Sequence, residues 1–504
     1  MNYFSFAKRI LKTSRVKRQF IFLSFVILGS LLTPLPSGYA EATTLPDMGS
    51  TTNLTLSIEE EKELGREFMR NVRQKLKLIE DPIVDEYIQS LGQRLVSQLD
   101  DAQFDYHFFI VDESNINAFA GPGGYIGIHT GLIFATKTED ELVSVMAHEI
   151  AHVSQRHLVR SVEQQSNLAI PAMAAIFAAI LLGGADANIG EAVIAGTMAG
   201  SIQSQLNFSR SHEAEADNVG LELMAKSGYD PRYMAVFFET LLSTQRYAEA
   251  NVPEFILTHP LTASRIAEAK NRAEHYPKLT SHPFNLNYHL IKARIRQLVM
   301  SHNDDANDSV ANQLELEKPV ASLPLEYYQS ALDAIKEKKF DVARKQLAKL
   351  DSLDEPRIIY IVTRAELEID AGKYDRAINI LAAALLNYPG NRPLTELYAD
   401  ALIKGGKPEQ ARVVLEKHIS SGFHNEKLYL ALATACKQSG KLSEAYEAQA
   451  NYHLLKGETS TAIEHLQRAM NTSKSDVKRH LVLATQLKKI KSMMRQKANA
   501  ELKN

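Results

Sequence analysis

A period of 34 residues governs the second half of this chain and narrows what it can fold into. Gly372-Lys373, Gly406-Lys407 and Gly440-Lys441 recur at that interval, and Ala343, Ala377, Ala411 and Ala445 keep the same register. Lys339-Phe340-Asp341 and Lys373-Tyr374-Asp375 repeat with it. A turn followed at a fixed offset by a small residue describes two helices that approach closely across the alanines. One such pair cannot bury its apolar face alone, so successive pairs stack into a superhelix with a concave surface.

The pattern resembles the tetratricopeptide repeat and predicts an all-α solenoid over residues 324–490, with 491–504 as a tail. The turn at Lys456-Gly457-Glu458, inside the segment Ala450 to Met470, falls out of register and reads as a degenerate repeat or cap. A polar stretch from Ser301 to Lys318 marks 277–323 as a helical connector and linker. A repeat array binds something, usually a peptide or protein, without saying what.

The other end of the chain carries an export pattern. Lys8, Arg9, Lys12, Arg15, Lys17 and Arg18 precede an apolar run from Phe20 to Leu32, Pro34 and Pro36 break the run, and Gly38-Tyr39-Ala40 puts small residues at −3 and −1. This is the plan of a cleavable signal peptide over 1–40, cut after Ala40, with 41–56 as a linker. The run falls short of the about 20 apolar residues of a membrane span. The expected location is the periplasm, the alternative being an inner-membrane anchor. No cysteine follows the run, which excludes a lipoprotein, and Cys436 alone excludes a disulfide framework or a cysteine zinc ribbon.

Composition adds two exclusions. At 45% hydrophobic and 23% charged residues the chain is not disordered as a whole. The formal net charge is −3, which argues against nucleic acid as a partner. Without residues 1–40 there are 51 basic against 60 acidic residues, a net of −9, so an anionic membrane surface would not attract the protein electrostatically.

Between these ends, residues 57–276 carry the chemistry. Thr138 with Glu141 reads as a capping box, so a helix is predicted to start there and run through His148-Glu149-Ile150-Ala151-His152. Histidines at i and i+4 stand side by side on one face and can grip one zinc ion. Glu149 beside them can act as general base on a metal-bound water. Two histidines make a poor catalytic site, so a third ligand is needed. The segment Ser211-His212-Glu213-Ala214-Glu215-Ala216-Asp217 offers it, on a helix that should stop at Gly228. Spacing alone does not choose between Glu213 and Glu215. One carboxylate there can bind the metal while another holds a ligand histidine.

HEIAH followed about 60 residues later by Glu-x-Glu-Ala-Asp resembles the gluzincin metallopeptidases of the HtpX and BepA type. Asn117-Ala118-Phe119-Ala120-Gly121-Pro122-Gly123-Gly124-Tyr125-Ile126, Gly131-Leu132, and His259-Pro260 with Arg265 support the likeness. The resemblance implies His148, His152 and Glu213 as ligands of one zinc ion per chain, Glu149 as base and Asp217 as the group orienting a ligand histidine. It places His259 and Arg265 at the rim of the cleft, where His259 either gates the metal's open position or merely caps a helix before Pro260. Taken with the signal and the repeats, it implies a periplasmic endopeptidase, with a chaperone role, acting on unfolded or misassembled outer-membrane proteins. The repeats would capture clients or dock onto the outer-membrane assembly machinery. A chaperone or scaffold with a latent or structural metal site is the alternative.

Two further segments bear on substrates. Phe104 to Val111 is rich in β-formers, and Ile116 to Ala120 and Tyr125 to His129 flank a Gly-Pro-Gly-Gly turn, as a hairpin would. An exposed edge at Asn117, Ala118, Phe119 and Ala120 could pair with an extended substrate through backbone bonds, with little sequence preference. Leu168 to Leu182 and Ile189 to Ile202 are apolar and small, and read as a buried helical hairpin, a lid or a peripheral membrane contact. The expected fold is α+β: a mostly helical peptidase domain with a small sheet, then an all-α solenoid.

Overall fold

The computed structural model describes residues 56–162, 210–247, 253–278, 285–302, 322–422 and 425–501. The export signal, nearly all of the 41–56 linker, the apolar runs at 168–182 and 189–202 and the polar stretch at 303–321 lie outside the described residues. No helix among the described residues is long and apolar enough to cross a membrane.

Helix α1 (Ile58–Lys75) starts at Ser57, which exchanges hydrogen bonds with Glu60 as a capping box. β1 (Leu78–Ile79) follows, then α2 (Pro82–Val96), whose first N–H groups are capped by the Asp81 carboxylate. β2 (His107–Val111), β3 (Ala118–Ala120) and β4 (Tyr125–His129) complete a four-stranded sheet in the order β1-β2-β4-β3. β2 and β4 run parallel, and β1 and β3 pair antiparallel at the two edges. The expected hairpin forms between β3 and β4, closed by the Gly121 N–H donating to the Tyr125 carbonyl at 2.7 Å. Gly123 takes φ +70°, and the turn lies so close to α1 that a Cβ on Gly65 would sit 2.5 Å from the Pro122 carbonyl oxygen.

A short α3 (Thr130–Ala135) leads into α4 (Glu139–Ser154), the helix of the His-Glu-x-x-His motif. The Thr138 hydroxyl accepts the Glu141 N–H at 3.3 Å as predicted, but the Glu141 carboxylate takes the Lys137 N–H, at 2.8 Å, rather than that of Thr138. Every residue from Glu141 to Val153 is buried, so α4 is a central helix rather than an amphipathic surface one. After it the chain breaks at Arg156, held in the left-handed region at φ +53°, and resumes as α5 (His157–Val162).

α6 (Arg210–Lys226) packs along α4 and stops where its glycine predicts, with Gly228 at φ +77°. α7 (Arg232–Tyr247), α8 (Glu254–Thr258) and α9 (Ala263–Ala273) follow, with α7 against α4 and α9 against α6. α10 (Leu286–His302) then leads to the repeats. These are the hairpins α11 (Leu323–Lys336) with α12 (Phe340–Leu353) and α13 (Ile358–Asp370) with α14 (Tyr374–Asn387). α15 (Arg392–Lys404) with α16 (Pro408–Ser420) and α17 (Glu426–Gln438) with α18 (Leu442–Leu455) continue the series. α19 (Thr459–Thr472) and α20 (Val477–Glu501) complete the array, α19 following the out-of-register turn at Gly457.

The periodic alanines do what the spacing requires. Ala343, Ala377 and Ala411 are fully buried and Ala445 nearly so, each on the second helix of its pair. Gly372, Gly406 and Gly440 all sit near φ +70°, and a Cβ on any of them would meet nothing within 4 Å. Conformation, not space, selects glycine there. One period earlier Lys338 adopts the same region, at φ +58°.

One hydrophobic core runs from the sheet through α4 and α10 into the repeats as far as Ala435. Charges cross the same boundary. Arg294 on α10 grips Asp81 in a bidentate pair at 2.7 and 2.8 Å and Glu366 on α13 at 2.6 and 2.9 Å. Lys427 pairs with Glu80 at 3.2 Å, and Arg73 pairs with Glu426. The architecture is α+β as expected, a mostly helical region around one small sheet followed by helical repeats.

Candidate metal centre

The 3.6-residue turn of α4 stacks His148 and His152 on one side, with Nε2 atoms 3.0 Å apart. α6 delivers Glu213 to the same point, Oε2 at 3.5 Å from His148 Nε2 and Oε1 at 3.5 Å from His152 Nε2. His259, just past the end of α8, adds its Nδ1 at 3.1 Å from Glu213 Oε1 and 3.3 Å from His148 Nε2. One ligand atom from each of these four buried residues lies within 4.8 Å of the others. Three imidazole nitrogens and one carboxylate oxygen form a donor set that suits zinc. Glu149 stands beside the cluster, its Oε1 3.6 Å from His259 Nε2. Among the described residues neither of its oxygens receives a well-formed hydrogen bond, although the backbone of Ala120 lies nearby. A buried carboxylate in that condition is unfavourable unless something polar enters the space before it.

Carboxylates and a guanidinium frame the cluster. Asp217 Oδ1 lies 3.0 Å from His148 Nδ1, behind the face that meets the other donors. Arg265 is drawn inward from α9 rather than left at a rim: two of its N–H groups donate to the Asp217 carboxylate, each at 2.8 Å, and Nη1 reaches Glu213 Oε2 at 2.8 Å. The Arg265 guanidinium also lies 5.2 Å from the Phe238 ring centre. Glu215, the open alternative of the spacing argument, does not join the donors. Its Oε2 accepts from His157 Nε2 at 3.0 Å, and His157 Nδ1 lies 2.8 Å from His152 Nδ1. The i, i+4 relation of Glu213 and Asp217 was legible, whereas His157 follows a helix break that no glycine or proline announces.

The electrostatics of these side chains follow from burial against pairing. Burial opposes charge on His148, but its bonds to Asp217 and Glu213 outweigh burial and carry it up to about 9. Burial and the nearby His148 hold His152 well below the usual histidine range. Burial would raise Glu213, yet His259 and His148 keep it well below the carboxylate range. The same contest leaves Asp217 lowered by His148 and Arg265. Burial wins at Glu149, whose pKa is raised despite His259 and His148. It also wins at His157, pushed down to about 4 against the pull of Glu215.

The residues expected at the substrate edge lie on the hairpin. Ala118, Phe119 and Ala120 form β3, the outer strand of the sheet, and all three are buried. Asn117 precedes them, its carbonyl accepting the His129 N–H at 3.0 Å. The segment that bears His259 is tied to the same place, since the Phe255 N–H donates to the Ile116 carbonyl at 3.1 Å.

Known proteins resemble both halves of this chain. The sequence model of peptidase family M48 matches residues 82–273, and that of a tetratricopeptide repeat matches 368–422. The beta-barrel assembly-enhancing protease of Escherichia coli (strain K12) is 34% identical over 441 residues, covering 87% of this chain and 89% of that protein. The putative beta-barrel assembly-enhancing protease of Vibrio cholerae is 37% identical over 425 residues, covering 84% and 87%. The mitochondrial metalloendopeptidase OMA1 of Danio rerio is 28% identical over 240 residues, 44% of this chain and 48% of that protein. With its donor cluster and its helical repeats, the chain belongs to peptidase family M48 and is a zinc metallopeptidase of the repeat-bearing, beta-barrel assembly-enhancing type.

Proposed function

We propose that the protein is a periplasmic endopeptidase that acts in the quality control or assembly of outer-membrane β-barrel proteins. The observation that carries the chemistry is the convergence of His148, His152, Glu213 and His259 on one buried point. His148, His152 and Glu213 hold the ion, and zinc, when bound there, polarises a peptide carbonyl and makes water a better nucleophile at neutral pH. Glu149 takes the proton from the attacking water and returns it to the leaving amine, a task helped by its raised pKa. Asp217 fixes the orientation of His148, and Arg265 holds both Asp217 and Glu213 in place. An extended client segment pairs with the β3 edge at Asn117, Ala118, Phe119 and Ala120, which lies against α4 near Glu149.

The setting comes from the relatives, both named for β-barrel assembly, and from the export pattern of residues 1–40. The repeats serve as a chaperone-like surface for unfolded clients or as a dock for the assembly machinery. A second reading, in which the site is held latent, is favoured by one observation: His259 Nδ1 lies among the other donors, 3.1 Å from Glu213 Oε1 and 3.3 Å from His148 Nε2, and every donor is buried. In that state β3 is covered and the protein acts through its repeats until His259 withdraws.

The test uses the mature protein, with elemental analysis for zinc and cleavage of casein with and without chelator. Glu149→Gln should keep zinc and fold and lose cleavage, while any client-holding activity persists. His259→Ala should keep zinc and raise cleavage. Zinc-free preparations that digest casein as well as loaded ones would overturn the peptidase reading.

A further inference from the structure

Two imidazoles on α4 must each present a bare Nε2 to the metal, and the chain achieves this by different means. At His148 the device is direct: Asp217 Oδ1 lies 3.0 Å from Nδ1, which leaves Nε2 as the nitrogen that faces the metal position. At His152 the Nδ1 meets His157 Nδ1 at 2.8 Å, and His157 Nε2 meets Glu215 at 3.0 Å. A carboxylate oxygen accepts, so the geometry has His157 Nε2 donating to Glu215. With that nitrogen donating, His157 Nδ1 is the one placed to accept, and His152 Nδ1 supplies the proton between them. The order of donors therefore reads from His152 to His157 to Glu215, which leaves His152 Nε2 unprotonated where it faces His148 and Glu213.

Other features hold His157 in place. It starts α5 directly after Arg156, whose left-handed backbone at φ +53° turns the chain back toward α4. That strained residue is pinned by a buried bond from its Nε to Glu61 at 2.8 Å and one from Nη2 to the Leu56 carbonyl at 2.7 Å. The His212 ring stacks on the other side of His157, 4.3 Å between centres and 12° between planes. A buried ion pair and a disfavoured backbone conformation converge on an imidazole that meets the cluster at His152.

We propose that His157 is a positioning residue that, with Glu215 behind it, fixes the tautomer of His152 before the metal arrives. This rests on the zinc-site reading above and adds residues 157 and 215 to it. Loss of an outer hydrogen-bond partner of a metal ligand typically weakens metal binding about 10- to 100-fold.

The experiment compares the full mature chain with His157→Phe, His157→Asn and Glu215→Leu. Zinc affinity is measured by competition with a chromophoric chelator, and the His152 tautomer by imidazole 15N chemical shifts of the apo protein. Asparagine places an oxygen where His157 has Nδ1, so it can still accept the His152 proton, whereas phenylalanine fills the space and accepts nothing. The expected result is a loss of about 10- to 100-fold in affinity for His157→Phe, recovered in large part by His157→Asn, with a lesser loss for Glu215→Leu. The Nδ1–H signature of His152 should vanish in His157→Phe alone, with circular dichroism unchanged. Equal affinity in wild type and His157→Phe, or equal loss in the Phe and Asn variants, overturns the proposal. Absence of zinc binding in the wild type would instead overturn the metal site itself, a distinct failure.

Discussion

Replacing Arg294 with methionine keeps much of the side chain's length and removes its charge and its N–H donors. The guanidinium is 5% exposed and spends four hydrogen bonds of 2.6–2.9 Å on two carboxylates from different parts of the fold. Asp81, 8% exposed, would keep its N–H bonds from Ile83 and Val84 but lose its counter-charge while buried, whereas Glu366, 33% exposed, can turn toward water. Breaking a buried pair from one side costs about 3–5 kcal/mol, and an exposed one about 0–1 kcal/mol. The loss should therefore fall almost wholly on Asp81 and amount to about 3–5 kcal/mol. Urea unfolding of the mature protein, followed by circular dichroism and by hydrogen exchange in α2 and α13, measures it. Adding Asp81→Asn to the methionine variant removes the stranded charge and should recover part of the loss, a coupling of about 0.5–3 kcal/mol. A penalty under about 1 kcal/mol, or a double variant no better than the single one, refutes the reasoning.

Three further outcomes follow from the same geometry. A Cβ on Gly92 would lie 2.1 Å from the Phe108 ring, so Gly92→Ala should push α2 off the sheet and destabilise by about 1–3 kcal/mol in thermal melts. Burial is the main influence on Asp85 and lifts it from 3.8 to about 7, Arg392 at 3.6 Å only partly offsetting this. The folded protein thus holds that proton more tightly than the unfolded chain, and its contribution to stability is full below pH 3.8 and lost as pH rises to about 7. Asp85→Asn should flatten the fall in melting temperature across that window, and an unchanged slope would count against the assignment. Lys338→Gly should stabilise the array by about 1 kcal/mol and Gly406→Ala weaken it by as much, since each exchanges the cost of a left-handed residue bearing a Cβ.

What could be read in advance was what depends on neighbours in sequence. The repeat hairpins, the α4 cap at Thr138, the stop at Gly228 and the β3–β4 turn all follow from periodicity and turn chemistry within a few residues. The pairing of His148 with His152 is likewise a property of one helix. Glu213 needed the family likeness, because two carboxylates two residues apart differ only in which side of α6 faces α4. Arg294 gave no local sign of its partners, which are 213 and 72 residues away. His157 was missed for a subtler reason: its approach to His152 depends on Arg156 adopting a conformation that arginine disfavours, and the buried Glu61 that enforces it comes from α1.

Glu213 and Asp217 stand one turn apart on the same side of α6, the first beside the Nε2 atoms of His148 and His152 and the second on His148 Nδ1, while Glu215 leaves that side toward His157. Rolling that single rod about its axis would carry Glu213 and Asp217 away together, so the carboxylate in the donor cluster and the one that steers His148 depart as one.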